Sequence, residues 1–212
     1  MNLDKLNDEE TMDEKNKPGD RIVCVYCASS SACHPQYHEA AYRLGELLAE
    51  NGCSIVYGGG AVGSMGAVAD GALSKQGKVV GVIPEFMVKL EWEHPGVTEL
   101  LRVEDMRTRK HLMLSKSHAV VALPGGTGTL EELFEAITLK RLGLYLHPIV
   151  LLNTRGFYDP LIELLDRAIT ERFLGEKHAT MWQVVNEPEE VFSAITGAPE
   201  WPSDAIAFAA QK

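Results

Sequence analysis

The residues best suited to chemistry lie in Pro124-Gly125-Gly126-Thr127-Gly128-Thr129-Leu130-Glu131-Glu132. Three glycines and two threonines offer backbone N–H groups and hydroxyls where a helix is expected to begin. A helix N-terminus carries partial positive charge and unpaired donors, so it is a natural seat for a phosphate. Two carboxylates follow directly, which a purely anion-binding loop would avoid. Phosphate recognition beside an acid points to chemistry on a phosphorylated small molecule. Thr129 and Glu132 also fit a T-x-x-E capping box, in which each side chain satisfies a backbone N–H. The box leaves Gly125, Gly126 and Gly128 unexplained, since one cap glycine would serve.

A second cluster is Met106-Arg107-Thr108-Arg109-Lys110-His111-Leu112-Met113. On a helical wheel Met106, Arg109, Lys110 and Met113 fall on one narrow arc, with Arg107, Thr108, His111 and Ser115 opposite. Two cations therefore share the methionine face, where a solvated charge run would not sit. Long stems snorkelling over the core edge would give the same pattern. The position of the helix at the carboxyl end of a sheet favours a site.

These residues need a scaffold, and the chain alternates strand and helix signals from Arg21 onward. Strands are expected at 21–27, 53–57, 78–83, 118–123 and 148–152, with short candidates near 99–103 and 182–185. Helices are expected at 36–51, 63–76, 104–116, 129–142, 157–172 and 187–196. The helix after the phosphate loop should face the core with Leu130, Leu133, Phe134 and Ile137. Strict alternation implies right-handed crossovers and a parallel sheet with helices on both faces. The fold class is α/β, a Rossmann-like doubly wound sheet over 21–196, behind an acidic, disordered leader at 1–20 and before a tail at 197–212.

In such sheets ligands bind beyond the carboxyl ends of the strands. Three loops fall there: Cys27-Ala28-Ser29-Ser30-Ser31, the glycine loop from Gly58 to Gly66, and Pro124 to Thr129. Gly58-x-Gly60-x-x-Gly63 is the dinucleotide fingerprint, and Glu85 is the nearest acid for a ribose, weakly placed. Two glycine loops at one crevice suit a dinucleotide or a mononucleotide. Only the mononucleotide leaves the nearby acid and base a purpose.

Composition narrows the classes. The chain has 212 residues, 45% of them hydrophobic, and a net charge of -10 that repels nucleic acid. Seven acids and three lysines fall within the first 20 residues. No apolar run approaches the ~20 residues of a membrane span, and no signal-peptide core is expected at the N-terminus. Cys24, Cys27, Cys33 and Cys53 fit a reducing, cytoplasmic compartment. Cys24 and Cys27 should point to opposite faces of a strand, so they do not pair as metal ligands. His34 and His38 lack the Glu of an H-E-x-x-H site and read as the first turn of a helix.

Tyr57-Gly58-Gly59-Gly60 with Gly63-x-Met65-Gly66, then Met106-x-x-Arg109-Lys110, then Pro124-Gly125-Gly126-x-Gly128-Thr129-x-x-Glu132 resembles the LONELY GUY family. Its members are cytokinin riboside 5′-monophosphate phosphoribohydrolases, often mislabelled lysine decarboxylases. The resemblance runs from Arg21 to Ile195. It implies hydrolysis of the N-glycosidic bond of an N6-modified AMP, with no metal and no cofactor. It also implies Arg109 and Glu132 as the catalytic pair, a choice over Glu131 that the pattern alone does not make. Glu91, Lys110, Gly126 to Thr129 and Thr138 become nucleotide contacts. Gly125, Ser29, Gly59, Gly60 and Met106 join them from the converging loops. Ala28, where glycine is usual, and Ser64, where leucine is common, depart from the family pattern; Trp92 is unusual and bears on the base pocket.

A carboxylate can stabilise the oxocarbenium-like sugar left by C1′–N9 cleavage, or orient the attacking water. An arginine can anchor ribose or phosphate oxygens meanwhile. A broader AMP or nucleoside 5′-monophosphate nucleosidase would use the same residues, and a non-catalytic nucleotide or cofactor carrier would not need both. Family members are commonly dimers, so a homodimer is expected. Phe134, Ile137, Leu139, Leu142, Leu144 and Tyr145 give the same expectation, being more apolar surface than one helix face buries.

Overall fold

The computed structural model describes residues 21–88 and 93–209. Seven strands form its sheet: β1 (Ile22–Tyr26), β2 (Ser54–Tyr57), β3 (Val79–Pro84), β4 (Glu99–Val103), β5 (Ala119–Ala122), β6 (Ile149–Leu152) and β7 (Gln183–Val185). The order is β4-β3-β2-β1-β5-β6-β7, and every pairing is parallel. Central strands such as Ala119–Ala122 and Ile149–Leu152 are buried throughout. Covered on both faces, such strands read as unbroken apolar runs.

Among the described residues, six helices of nine residues or more cover the sheet: α1 (Pro35–Glu50), α2 (Gly63–Ser74), α3 (Met106–Ser115), α4 (Thr127–Arg141), α5 (Asp159–Thr170) and α6 (Pro188–Thr196); a single further turn, α7 (Ile206–Ala209), follows. Ala41, Leu44 and Leu48 of α1, Val68 and Ala72 of α2, and Val191 and Ile195 of α6 build one core layer. Met113 of α3, Leu133 and Ile137 of α4, and Leu165 of α5 build the other. Cys27 lies in the first layer and Cys24 in the second, as strand alternation requires. The order in which strands are added reverses between the parallel neighbours β1 and β5: β1 leads into α1 on one face, β5 into α4 on the other. That is the topological switch point, where a crevice opens outside the strand ends.

Three local readings change. First, α4 starts at Thr127 with Gly126 as its N-cap and no capping side chain, so Thr129 and Glu132 do not form a capping box. Second, Phe134 is exposed while Thr129, Glu132 and Lys140 are buried, so the face of α4 turned to the protein is more polar than its apolar spacing implied. Third, the stretch after Gly197, which reads as a tail, is tied down. Trp201 and Ala205 are buried, and Trp201 Nε1 donates to Lys140 O at 2.6 Å. Burial holds the Lys140 ammonium down at about 8. No helix among the described residues is long and apolar enough to cross a membrane.

Candidate active site

The loops at the switch point enclose a cleft of about 320 Å³. That volume lies at the lower end of the range usual for small-molecule sites, roughly 300–1,000 Å³. Arg109 reaches the cleft from the first turn of α3, whose start is fixed by Asp105. The Asp105 side chain caps the helix by accepting from Thr108 N at 2.7 Å, and that bond holds its carboxyl below the usual range.

Arg109 is 3% exposed. Its Nε donates to Val82 O at 3.1 Å and its Nη2 to Gly58 O at 2.9 Å, so the ends of β2 and β3 both grip the guanidinium. Nη1 lies 3.9 Å from Met87 Sδ and 3.7 Å from Met106 Sδ. A charge this deeply buried is tolerated because carbonyl dipoles face it.

Glu132 is 7% exposed and lies one turn beyond Thr129, on the same buried face of α4. Two groups beneath the cleft, Cys24 and Tyr26, feel its charge. Burial pushes the Cys24 thiol well up and the Glu132 charge pushes it further. Burial, then Cys24 and Glu132, do the same to the Tyr26 hydroxyl. Glu131, by contrast, is exposed and forms an ion pair with Lys110, which also pairs with Glu135 at 2.8 Å.

Ser29, Met106, Arg109, Gly126, Thr127, Gly128, Thr129 and Glu132 line the cleft together. Other expected contacts lie apart from that lining. Gly125 packs against Thr129, where an added Cβ would stand 2.2 Å from the hydroxyl oxygen. Gly59 O accepts from His94 N at 3.1 Å, and Gly60 bridges to Glu93 behind the loop. Lys110 is held between α3 and α4 by its two carboxylates. Thr138 is exposed and donates to Phe134 O at 2.7 Å, ~9 Å along α4 from Glu132 at the helical rise. Glu91 and Trp92 lie outside the described residues. Glu85 is exposed and does not line the cleft.

Met65 and Met87 complete the wall with Met106. Met87 went unread in the sequence, because a lone methionine in the turn after β3 carries no pattern. Only the fold brings it beside Arg109.

The family described as "possible lysine decarboxylase" matches residues 65–195. The cytokinin riboside 5′-monophosphate phosphoribohydrolase LOG of Oryza sativa subsp. japonica is 43% identical over 156 residues, 74% of this chain and 64% of that protein. The bacterial cytokinin riboside 5′-monophosphate phosphoribohydrolase of Rhodococcoides fascians is 39% identical over 186 residues, 87% of this chain and 94% of that one. The chain belongs to the LONELY GUY family. Among solved structures, the molybdenum cofactor carrier protein of Chlamydomonas reinhardtii superposes with a TM-score of 0.65 at 21% identity. The match covers 84% of this chain and 98% of that one, and is a likeness of fold. Family membership agrees with the sheet topology and with the motifs around Arg109 and Glu132, both of which this chain keeps.

Proposed function

We propose that this protein hydrolyses the N-glycosidic bond of an N6-modified AMP, a cytokinin riboside 5′-monophosphate, to free base and ribose 5-phosphate. One observation carries the reading: buried Arg109 and buried Glu132 line the same cleft as the start of α4, which lacks a capping side chain. The rice and Rhodococcoides relatives, both named for that activity, support it.

The chemistry follows from the arrangement. The 5′-phosphate sits on the first turn of α4, where backbone donors of Gly126 to Thr129 and the helix dipole receive it. The C1′–N9 bond breaks with its electron pair going to the base. Glu132 stabilises the electron-poor sugar and orients the water whose oxygen bonds to C1′, while the proton released goes to the departing base. Arg109, locked by two carbonyls, holds sugar or phosphate oxygens in place at little further entropic cost. Three methionines offer polarisable apolar surface to the base. A pyridoxal-type decarboxylase reading lacks support: among the described residues lining the cleft there is no lysine, and Lys110 is engaged by Glu131 and Glu135.

The test is Glu132→Gln assayed on AMP, isopentenyl-AMP and other nucleoside monophosphates. Base release should vanish while nucleotide affinity stays within about tenfold, roughly 1.4 kcal/mol. Near wild-type turnover by the variant would refute the mechanism. Equal kcat/KM for AMP and isopentenyl-AMP would favour the broader nucleosidase.

The active unit we propose is a homodimer in a reducing, cytoplasmic compartment. Phe134 and Leu144 leave apolar surface on and beside α4, although Ile137 and Tyr145 of the same stretch are in the core. Thr138, a nucleotide contact on family resemblance, sits on that exposed side, where pairing about a two-fold axis would carry it toward the other copy's cleft. All four cysteines are free thiols. Light scattering with activity measured on dilution checks the dimer; a monomer with full specific activity would refute it.

A further inference from the structure

The phosphate loop leaves the sheet at Leu123, where Pro124 turns the chain out of β5. Leu123 N still donates to Tyr26 O at 2.9 Å, but its carbonyl has left the strand ladder. That carbonyl accepts instead from the Tyr158 hydroxyl at 2.6 Å, inside the protein. Tyr158 sits in the turn between β6 and α5 and is 1% exposed. Its backbone N–H donates to Asn153 Oδ1 at 2.7 Å, and Asn153 Nδ2 donates to Asp159 Oδ1 at 2.8 Å. Phe157 meets its ring edge-on at 5.2 Å, and Tyr37 of α1 meets Phe157 at 6.1 Å. Burial raises the hydroxyl well above the ordinary tyrosine range, so it stays protonated and remains a donor.

The loop needs such a brace. Gly126 and Gly128 have no side chains to hold them, added Cβ atoms there would meet nothing within 4 Å, and the N-cap makes no side-chain bond. Its path is therefore set from its two ends, α4 on one side and the Leu123–Pro124 root on the other. A clamped ring with one committed hydrogen bond fixes the root.

We propose that Tyr158 is a positioning residue for phosphate recognition: its hydroxyl fixes the root of the Gly125–Thr129 loop and so sets affinity for the 5′-phosphate. This rests on the reading above that the loop seats that phosphate. A merely structural role for the hydroxyl would lower stability and leave the phosphate dependence untouched.

The experiment compares wild type with Tyr158→Phe, using inorganic phosphate as a calorimetric probe beside steady-state kinetics. The phosphate Kd and the KM for the nucleoside monophosphate should both rise about fivefold, the worth of one ordinary buried hydrogen bond. The kcat should stay within about twofold, and slow hydrolysis of the phosphate-free nucleoside should not change. Phe157→Leu, at a half-exposed position, keeps the hydroxyl but loosens the ring, and should raise both constants about twofold. That variant decides the matter if Tyr158→Phe does not fold, because unchanged constants in it would overturn the proposal. Unchanged phosphate affinity in Tyr158→Phe, or equal losses on nucleotide and nucleoside, would overturn it as well. A wild-type protein that binds no phosphate would overturn the phosphate-seat reading, and the brace with it.

Discussion

Two glycine-rich loops, 58–66 and 124–129, each leave a central strand and enter a helix at the same end of the sheet, yet their glycines answer to different constraints. In the first, protein fills the space beside the backbone. A Cβ at Gly58 would stand 2.1 Å from Arg109 Nη2, and one at Gly66 would stand 2.2 Å from Ala61 O. Gly63 combines a φ of +63° with a Cβ position 2.5 Å from Ser30 O. In the second, Gly125 is crowded only by Thr129 of the helix that follows, while an added Cβ at Gly126 or Gly128 meets nothing within 4 Å, and neither of those two has a positive φ. The dinucleotide-like fingerprint is thus accounted for by packing around Arg109 and the serine loop. The bare backbone at Gly126 and Gly128 has the form that close approach of a ligand requires.

Substitutions can break this contrast. The largest stability effect should come from Gly63→Ala. A left-handed non-glycine costs about 1–2 kcal/mol, and crowding against immovable backbone adds roughly 1–3 kcal/mol. Urea unfolding should therefore report a loss of about 3 kcal/mol, and tolerance of this change would mean that the first loop is not packing-limited.

Gly58→Ala should act mainly on turnover. The methyl displaces the guanidinium of Arg109, whose bonds to Gly58 O and Val82 O must then stretch or break. A fall in kcat of about a hundredfold, roughly 2.7 kcal/mol, is expected with the fold retained. Wild-type kcat in this variant would uncouple the first loop from the site.

The smallest change sharpens the contrast most. Gly128→Ala lies in the first turn of α4, where alanine is the better helix former by about 0.5–1 kcal/mol and meets no clash. Stability should rise slightly while KM for the nucleotide rises about fivefold, because the methyl occupies ligand space. A variant that lost stability and kept its KM would place the second loop's glycines in the same class as the first.

How much of this was legible beforehand varied with the physics of each element. The seven strands and the six longer helices were readable because parallel strands covered on both faces must be apolar throughout, and their covering helices amphipathic; the short helix Ile206–Ala209 fell in the expected tail. The arc through Met106, Arg109, Lys110 and Met113 correctly set Arg109 inward; Lys110, at the rim of the same arc, turned to Glu131 and Glu135 instead. The start of α4 differs from the expectation because its N-cap is Gly126, in extended backbone three residues before the T-x-x-E pattern that mimics a cap. Its buried face was misread for a related reason. Thr129, Glu132 and Lys140 break the apolar spacing, and a functional helix can afford such breaks where charge has work or partners. Trp201 offered no signal, since its partner Lys140 lies 61 residues away.

By itself the sequence determined the fold class, the convergence of three loops at one sheet end, and a basic and an acidic group meant to meet there. Those follow from periodicities of two and 3.6 residues and from the handedness of parallel crossovers, which are properties of the local chain. Tertiary structure decided which of two adjacent glutamates faces the cleft and which glycines are crowded and which are bare. It also decided that Met87 lines the cleft and that Tyr158 bonds the root of the second loop. These depend on distances between residues far apart in the chain, and steric exclusion and hydrogen-bond partnership exist only once those residues are packed.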